Sequence, residues 1–254
     1  MKLKAAIASL VTLVAFVICS CSPMGMAPSA DDASMSAAPR ERDERPGLAT
    51  GWGDEKTSRL SYTKFVRASS KPAGTDVIFY NNPEGIDAMT NSKRKVGALQ
   101  TAAGQMVEWG IKGNFGYLPT YKEYGYGRRL VAGKKGSEYS IVVKNRCKSS
   151  LEIVASVDGL DVHDGKTASF SKRGYIIAPG ETLVIDGFRT SANKVAAFEF
   201  SGVSNSYANL KHGDTRNVGV IGIAVFTQKG VNPWKWSSGE VNRRKDASAF
   251  AEAP

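Results

Sequence analysis

The run Val218 to Phe226 (VGVIGIAVF) constrains the fold most strongly. It is apolar on both faces, and its β-branched residues and spaced glycines suit a strand covered on both sides rather than a buried helix. Such a strand belongs at the centre of a sheet. Gly219 and Gly222 leave room there for a neighbouring backbone or a large side chain.

Shorter runs of the same character precede it. Asp76 to Tyr80, Met106 to Ile111 and Tyr139 to Lys144 are β-rich. Leu151 to Val157 sets Leu151, Ile153, Ala155 and Val157 against Glu152, Val154 and Ser156, the alternation of a half-buried strand. Asp158-Gly159 then supplies hairpin-turn residues, with Leu160 to Val162 as the return strand. Further strands are expected at Tyr175 to Ile177, Thr182 to Asp186 and Val195 to Ser201. Between Gly85 and Gln105, the residues Ile86, Met89, Val96 and Leu99 fit a short amphipathic helix or a loop. Short strands separated by turns, without helix–strand alternation, predict an all-β fold: an antiparallel β-sandwich or jelly-roll-like single domain over residues 51–230, with no parallel sheet. Residues 231–254 read as a polar, mobile tail.

Composition narrows the function. With 42% hydrophobic residues the chain can bury a core, and Lys and Arg (34) exceed Asp and Glu (24) without forming one basic tract, so no nucleic-acid partner is expected. Three cysteines cannot build a disulfide framework, and two histidines leave little for a zinc site. No metal and no cofactor are expected.

The N-terminus points out of the cytoplasm. Lys2 and Lys4 precede an uncharged, mostly apolar run from Ala5 to Cys19, whose 15 residues would cover only about 22 Å as a helix. That is the layout of an export signal, not of a membrane span. Its end, Val17-Ile18-Cys19-Ser20-Cys21, resembles the lipobox of bacterial lipoproteins. The resemblance implies a signal peptide over 1–20 and a diacylglyceryl group on Cys21, whose thiolate attacks the lipid donor. Ser22 lacks the aspartate associated with inner-membrane retention, which implies outer-membrane sorting. Residues 21–50, rich in Ala, Ser and Pro, form the lipid-anchored flexible tether. Cys147 is then an unpaired thiol, expected as a small apolar filler.

The second half carries its own pattern: Val157-Asp158-Gly159, Gly174-Tyr175, Gly187-Phe188-Arg189-Thr190-Ser191, Ser206-Tyr207-Ala208 and Asn217 to Gly222. Residues 139–226 thereby resemble an uncharacterised family of bacterial exported β-rich proteins. The resemblance implies a common β domain and carries no reaction, ligand or catalytic residue.

Catalytic motifs are weak. Gly165-Lys166-Thr167 ends like a phosphate-binding loop, but Leu160 stands where that loop needs glycine. Asp158, Asp161, His163 and Asp164 crowd together without the alternation of a calcium loop, and the glycines after Asp158 and Asp164 mark turns. Ser61 to Lys64 and Ser169 to Lys172 match an S-x-x-K spacing without its companion motifs. His212 with Asp214 reads as a solvated loop. The densest candidate binding patch is Tyr117, Tyr121, Tyr124, Tyr126, Arg128 and Arg129, since tyrosine and arginine stack on sugars or anchor interfaces at low entropy cost. Trp234-Lys235-Trp236 has the same character.

These features lead to one expectation: a non-enzymatic, membrane-anchored envelope lipoprotein displaying a β-sandwich binding or assembly module. Its partners are the membrane, through Cys21, and an envelope protein or glycan. The alternative is a hydrolase acting on an envelope glycan or peptide. At about 0.8 kcal/mol per buried CH₂, a multiply acylated cysteine holds firmly to a bilayer. Metabolic labelling with an alkyne fatty acid should mark the wild type and leave Cys21→Ser unlabelled and unprocessed or soluble. Label persisting in Cys21→Ser would refute the assignment.

Overall fold

The computed structural model describes residues 45–58, 64–90 and 92–248. The expected signal peptide, Cys21, nearly all of the expected tether and Ser61 lie outside the described residues. In chain order the first strands are β1 (Leu48–Thr57), β2 (Gly74–Asn81), β3 (Lys93–Val96), β4 (Gln100–Ala102), β5 (Val107–Gly113) and β6 (Gly116–Tyr117). Next come β7 (Thr120–Glu123), β8 (Arg129–Ala132), β9 (Glu138–Asn145), β10 (Leu151–Val157) and β11 (Leu160–Asp161). The series closes with β12 (Tyr175–Ile177), β13 (Thr182–Ile185), β14 (Gly187–Arg189), β15 (Lys194–Gly202) and β16 (Val220–Thr227). Two α-helices, α1 (Pro83–Met89) and α2 (Ser238–Lys245), a 3₁₀ turn (Val203–Asn205) and a π-helical turn (Ala208–His212) are added.

The strands form two packed sheets. One runs β1-β15-β9-β5-β4, with β13, β14 and β6 attached; the other runs β11-β10-β16-β2-β8-β7-β3, with β12 beside β10. The apolar run from Val218 is indeed central: β16 lies between β10 and β2, with Ile221 opposite Val157 on one side and Ile78 on the other. Inward side chains of both sheets, among them Ile78, Trp109, Ile141, Ile153, Phe198 and Ile221, make one core.

Several details depart from expectation. The sheets are antiparallel except where β2 pairs in parallel with β8. This is possible because the chain leaves β2, visits the other sheet through β4 to β6, and returns, which is the long crossover a parallel pair needs. Strand β1 begins ahead of residue 51, and Leu48, Ala49 and Thr50 are buried, so the end of the supposed tether belongs to the domain. The stretch after Gly85 divides into α1, with Asn82 Oδ1 capping Gly85 N at 2.7 Å, and the short strands β3 and β4.

Strand β10 is buried on both faces rather than one. Its outer face carries Val154, packed with Ala224 and Phe226, and Glu152, which receives Arg67 through two bonds of 2.7 and 2.9 Å. The same guanidinium sits 3.7 Å from the Phe226 ring centroid. Arg67 therefore covers an apolar patch while keeping its charge paired.

The tail, too, is partly structured. Ser237 caps α2 by accepting from Glu240 N, and Glu240 binds both Arg243 and Arg244. Ser237 and Glu240 have the S-x-x-E spacing of a capping box.

Cys147 is buried, and burial pushes its thiol up to about 11, so it fills space. Ile221 has no exposed surface, so Ile221→Asp places a carboxylate in the core at a cost of several kcal/mol, comparable with the ~5–15 kcal/mol of a whole domain. Thermal melting followed by circular dichroism should lose cooperativity in this variant. A melt within a few degrees of wild type would contradict the placement of β16.

Candidate functional site

The six residues of the tyrosine–arginine patch do not share a surface. Arg128 and Arg129 are neighbours at the start of a strand, so their side chains leave on opposite faces. Arg129 turns inward, is buried, pairs with Asp76 and lies 4.7 Å from the Trp109 ring. Trp109 Nε1 donates to the same carboxylate at 2.7 Å, which makes this group a clasp between the sheets. Tyr117 lies on β6, in the other sheet. Tyr121, Tyr124, Tyr126 and Arg128 stay together on the β7–β8 hairpin. There Glu123, buried, holds Arg128 through bonds of 2.6 and 3.0 Å, and the guanidinium faces the exposed Tyr126 at 5.5 Å. Both the hydrogen bonds and the charge of Arg128 hold the Glu123 carboxyl below its usual range.

Residues of the second-half pattern, by contrast, converge. Asp158 and Gly159 have φ of 52° and 79°, the left-handed pair of a tight hairpin turn, and Asp tolerates this conformation better than most residues. The Asp158 side chain points into the protein. Its Oδ1 accepts from the Tyr80 hydroxyl at 2.6 Å and from Gly219 N at 2.9 Å, while Oδ2 accepts from Thr50 N at 2.7 Å. Thr50 Oγ1 in turn lies 2.7 Å from the Tyr80 hydroxyl and 2.6 Å from that of Tyr139. Each hydroxyl has one proton. With Asp158 ionised, Tyr80 must donate to it, Thr50 to Tyr80, and Tyr139 to Thr50, so the whole chain of donors points at one carboxylate.

Protonation of Asp158 allows that chain to reverse, with the acid donating to Tyr80. Burial is the main influence on Asp158 and raises its pKa to about 6, against the pull of Tyr80 and the backbone amides. Burial likewise holds the Tyr80 and Tyr139 hydroxyls well above the usual range. Gly219 is required because its φ is +83° and a Cβ would meet Tyr80 O at 3.2 Å.

Beside this network, at the β11 and β12 edge, lies a cleft of about 590 Å³ lined by Asp161, His163, Asp164, Lys172, Arg173 and Arg189. Arg189, from the RTS segment, reaches the Tyr175 hydroxyl of the GY pair at 3.3 Å and Ser58 O at 2.8 Å. The His163 ring stands 4.5 Å from that of Tyr175. Burial, helped by the Arg189 charge, lowers the His163 pKa, so the imidazole is neutral near pH 7, and its buried Nδ1 has no partner among the described residues.

Asp161 accepts from the backbone N of His163 and Asp164, at 2.9 and 3.2 Å, and Asp164 pairs with Lys172. Among the described residues no group of three or more His, Cys, Asp or Glu side chains is arranged to hold a metal. Tyr207, of the SYA element, packs on Trp52 and Phe188 at 4.6 and 5.0 Å. His212 donates to Gly165 O at 2.8 Å, whereas Asp214 is held by Arg216, which keeps its carboxyl down at about 2. His212 and Asp214 are thus hydrogen-bonded to different partners, although the His212 charge also favours the Asp214 carboxylate. Ser169 hydrogen-bonds Ser171, and Lys172 is engaged by Asp164 instead.

The cleft thus offers an imidazole and a group of cations, of which Lys172 and Arg189 are held by the scaffold. Such groups suit recognition of a polar, anionic ligand. Residue spacing alone could not reveal it, because His163, Lys172, Tyr175 and Arg189 meet only through sheet pairing. Comparison with family models, with curated proteins and with solved structures returned no match.

The Asp158 network sets a pH dependence. A carboxyl whose pKa is raised from 3.8 to about 6 on folding contributes stability that is full below 3.8 and lost as pH rises through 6. At 1.36 kcal/mol per unit the loss is on the order of 3 kcal/mol. Denaturant melts from about pH 4 to pH 7 should show this decline in wild type and lose that component in Asp158→Asn. Equal pH slopes in the two proteins would contradict the network.

Proposed function

We propose that this chain is a bacterial envelope lipoprotein, anchored through Cys21 after removal of residues 1–20 and sorted to the outer membrane, whose β-sandwich is a non-catalytic binding or assembly module. The resemblance of residues 139–226 to exported β-rich proteins is part of this proposal. The observation that carries it is the convergence of the 161–164, 171–173 and 189–192 segments on one ligand-sized cleft whose ionic groups, Arg173 apart, are already engaged. Arg189 holds Ser58 O and the Tyr175 hydroxyl, Lys172 holds Asp164, and Asp161 accepts two amides. Groups held in this way bind and orient a ligand rather than exchange protons with it. Arg173, exposed at the rim, is available for direct contact. The β7–β8 hairpin, with Tyr124, Tyr126 and Arg128, is a second contact surface at the opposite edge of the same sheet.

The hydrolase alternative has one observation in its favour, the neutral His163 with its unpartnered Nδ1. Titration of the full chain with purified envelope glycan and peptide fragments separates these readings. Binding without cleavage is expected, with Arg173→Ala weakening affinity by about 1–3 kcal/mol and leaving the melting temperature unchanged. Cleavage that disappears in His163→Ala would establish the enzyme instead. Affinity lost in Tyr124→Ala but kept in Arg173→Ala would move the site to the hairpin.

A further inference from the structure

A second cleft, of about 1050 Å³, lies at the other end of β10 from Asp158. It opens between the segment linking β9 to β10 and the C-terminal residues leading into α2. The end of β9 and the start of this link, Lys144-Asn145-Arg146-Cys147-Lys148-Ser149, alternate strictly: the three cations are exposed, and Asn145, Cys147 and Ser149 are buried. Asn145 fixes this shape, because its Nδ2 donates to Ser149 O at 2.9 Å and its Oδ1 accepts from Cys147 N at 2.8 Å. Across the cleft, Arg243 and Arg244 share the single carboxylate of Glu240, and Trp236 lies between Arg244 and Lys148, at 4.9 and 5.8 Å.

The charges do not balance. Arg146 is matched by Glu108, and Glu240 serves two arginines, while Lys144 and Lys148 make no ion pair among the described residues. Ser149 contributes to the same wall and is buried.

We infer that this cleft binds a phosphate-bearing ligand. A phosphate group presents several acceptor oxygens and more than one negative charge, which matches lysine point charges and arginine forks converging from two sides. The site is independent of the cleft at His163.

Two probes test it on the full chain by calorimetry: inorganic pyrophosphate, and water-soluble short-chain phosphatidic acid with phosphatidylcholine of the same chains as control, since the proposed anchor at Cys21 would carry the chain onto any vesicle. Pyrophosphate alone binding identifies a soluble phosphate ligand. Phosphatidic acid binding that phosphatidylcholine does not reproduce and that pyrophosphate competes identifies a lipid headgroup. In either case the Lys144→Gln/Lys148→Gln variant should bind at least about tenfold more weakly at an unchanged melting temperature, and binding should weaken with salt. Lys144→Arg/Lys148→Arg, which keeps both charges, should retain binding and guards against misfolding of the glutamine variant. No binding of either probe, or undiminished affinity in the glutamine variant, overturns the inference.

Discussion

A carboxylate in the core organises this sandwich. Asp158 belongs to the second sheet, yet two of the groups that satisfy it, Thr50 N directly and the Tyr139 hydroxyl through Thr50 Oγ1, come from the first. A buried acid without donors costs far more than it returns, so every element that touches Asp158 is bound to a particular position. Strand β1 must bring Thr50, β2 must bring Tyr80, and the turn before β16 must be glycine for its amide to reach. The aromatic rings around the network add to the lock: Tyr139 stacks on Phe200 at 4.4 Å and Tyr80 packs on it at 5.4 Å. Burial of the rings and pairing of their hydroxyls are achieved by the same packing.

The Trp109, Asp76 and Arg129 clasp serves the same end elsewhere in the interface, joining β5 to β2 and β8. Arg67 does on the outside what these groups do within, sealing the outer face of β10 and β16. Polar clasps of this kind are demanding because a missing partner leaves an unpaired charge. They make the relative placement of the sheets specific, and the His163 cleft inherits that rigidity through Tyr175 and Arg189.

Sequence patterns read well where local signals decide the outcome. Leu151 to Val157 and Tyr175 to Ile177 match β10 and β12, and the apolar run from Val218 lies at the centre of its sheet. They read poorly where long-range contacts decide. Strand β1, LATGWGDEKT, has glycines and charges and little alternation, and is held by β15 and by Asp158 rather than by propensity. Asp158 itself looked like a turn residue because Asp-Gly favours a turn whichever way the side chain points. Arg129 looked like half of a basic surface because adjacency in sequence hides that consecutive strand residues face opposite ways. For α2 a local signal was present, the spacing of Ser237 and Glu240, but a single capping box is weak without an apolar stripe behind it.

The proposed function follows from how the sandwich is held. A scaffold whose sheets are clasped by buried polar groups can present fixed clefts at its ends and a tyrosine–arginine hairpin at its edge, which is what a binding module requires. The central claim is that Asp158 ties β1 and the turn before β16 into the core. Amide hydrogen exchange on the native protein tests it most directly. The Thr50 and Gly219 amides should exchange only through global unfolding, as slowly as amides of β16 itself. Exchange of those two amides through local opening, at rates like those of exposed turns, would contradict the account.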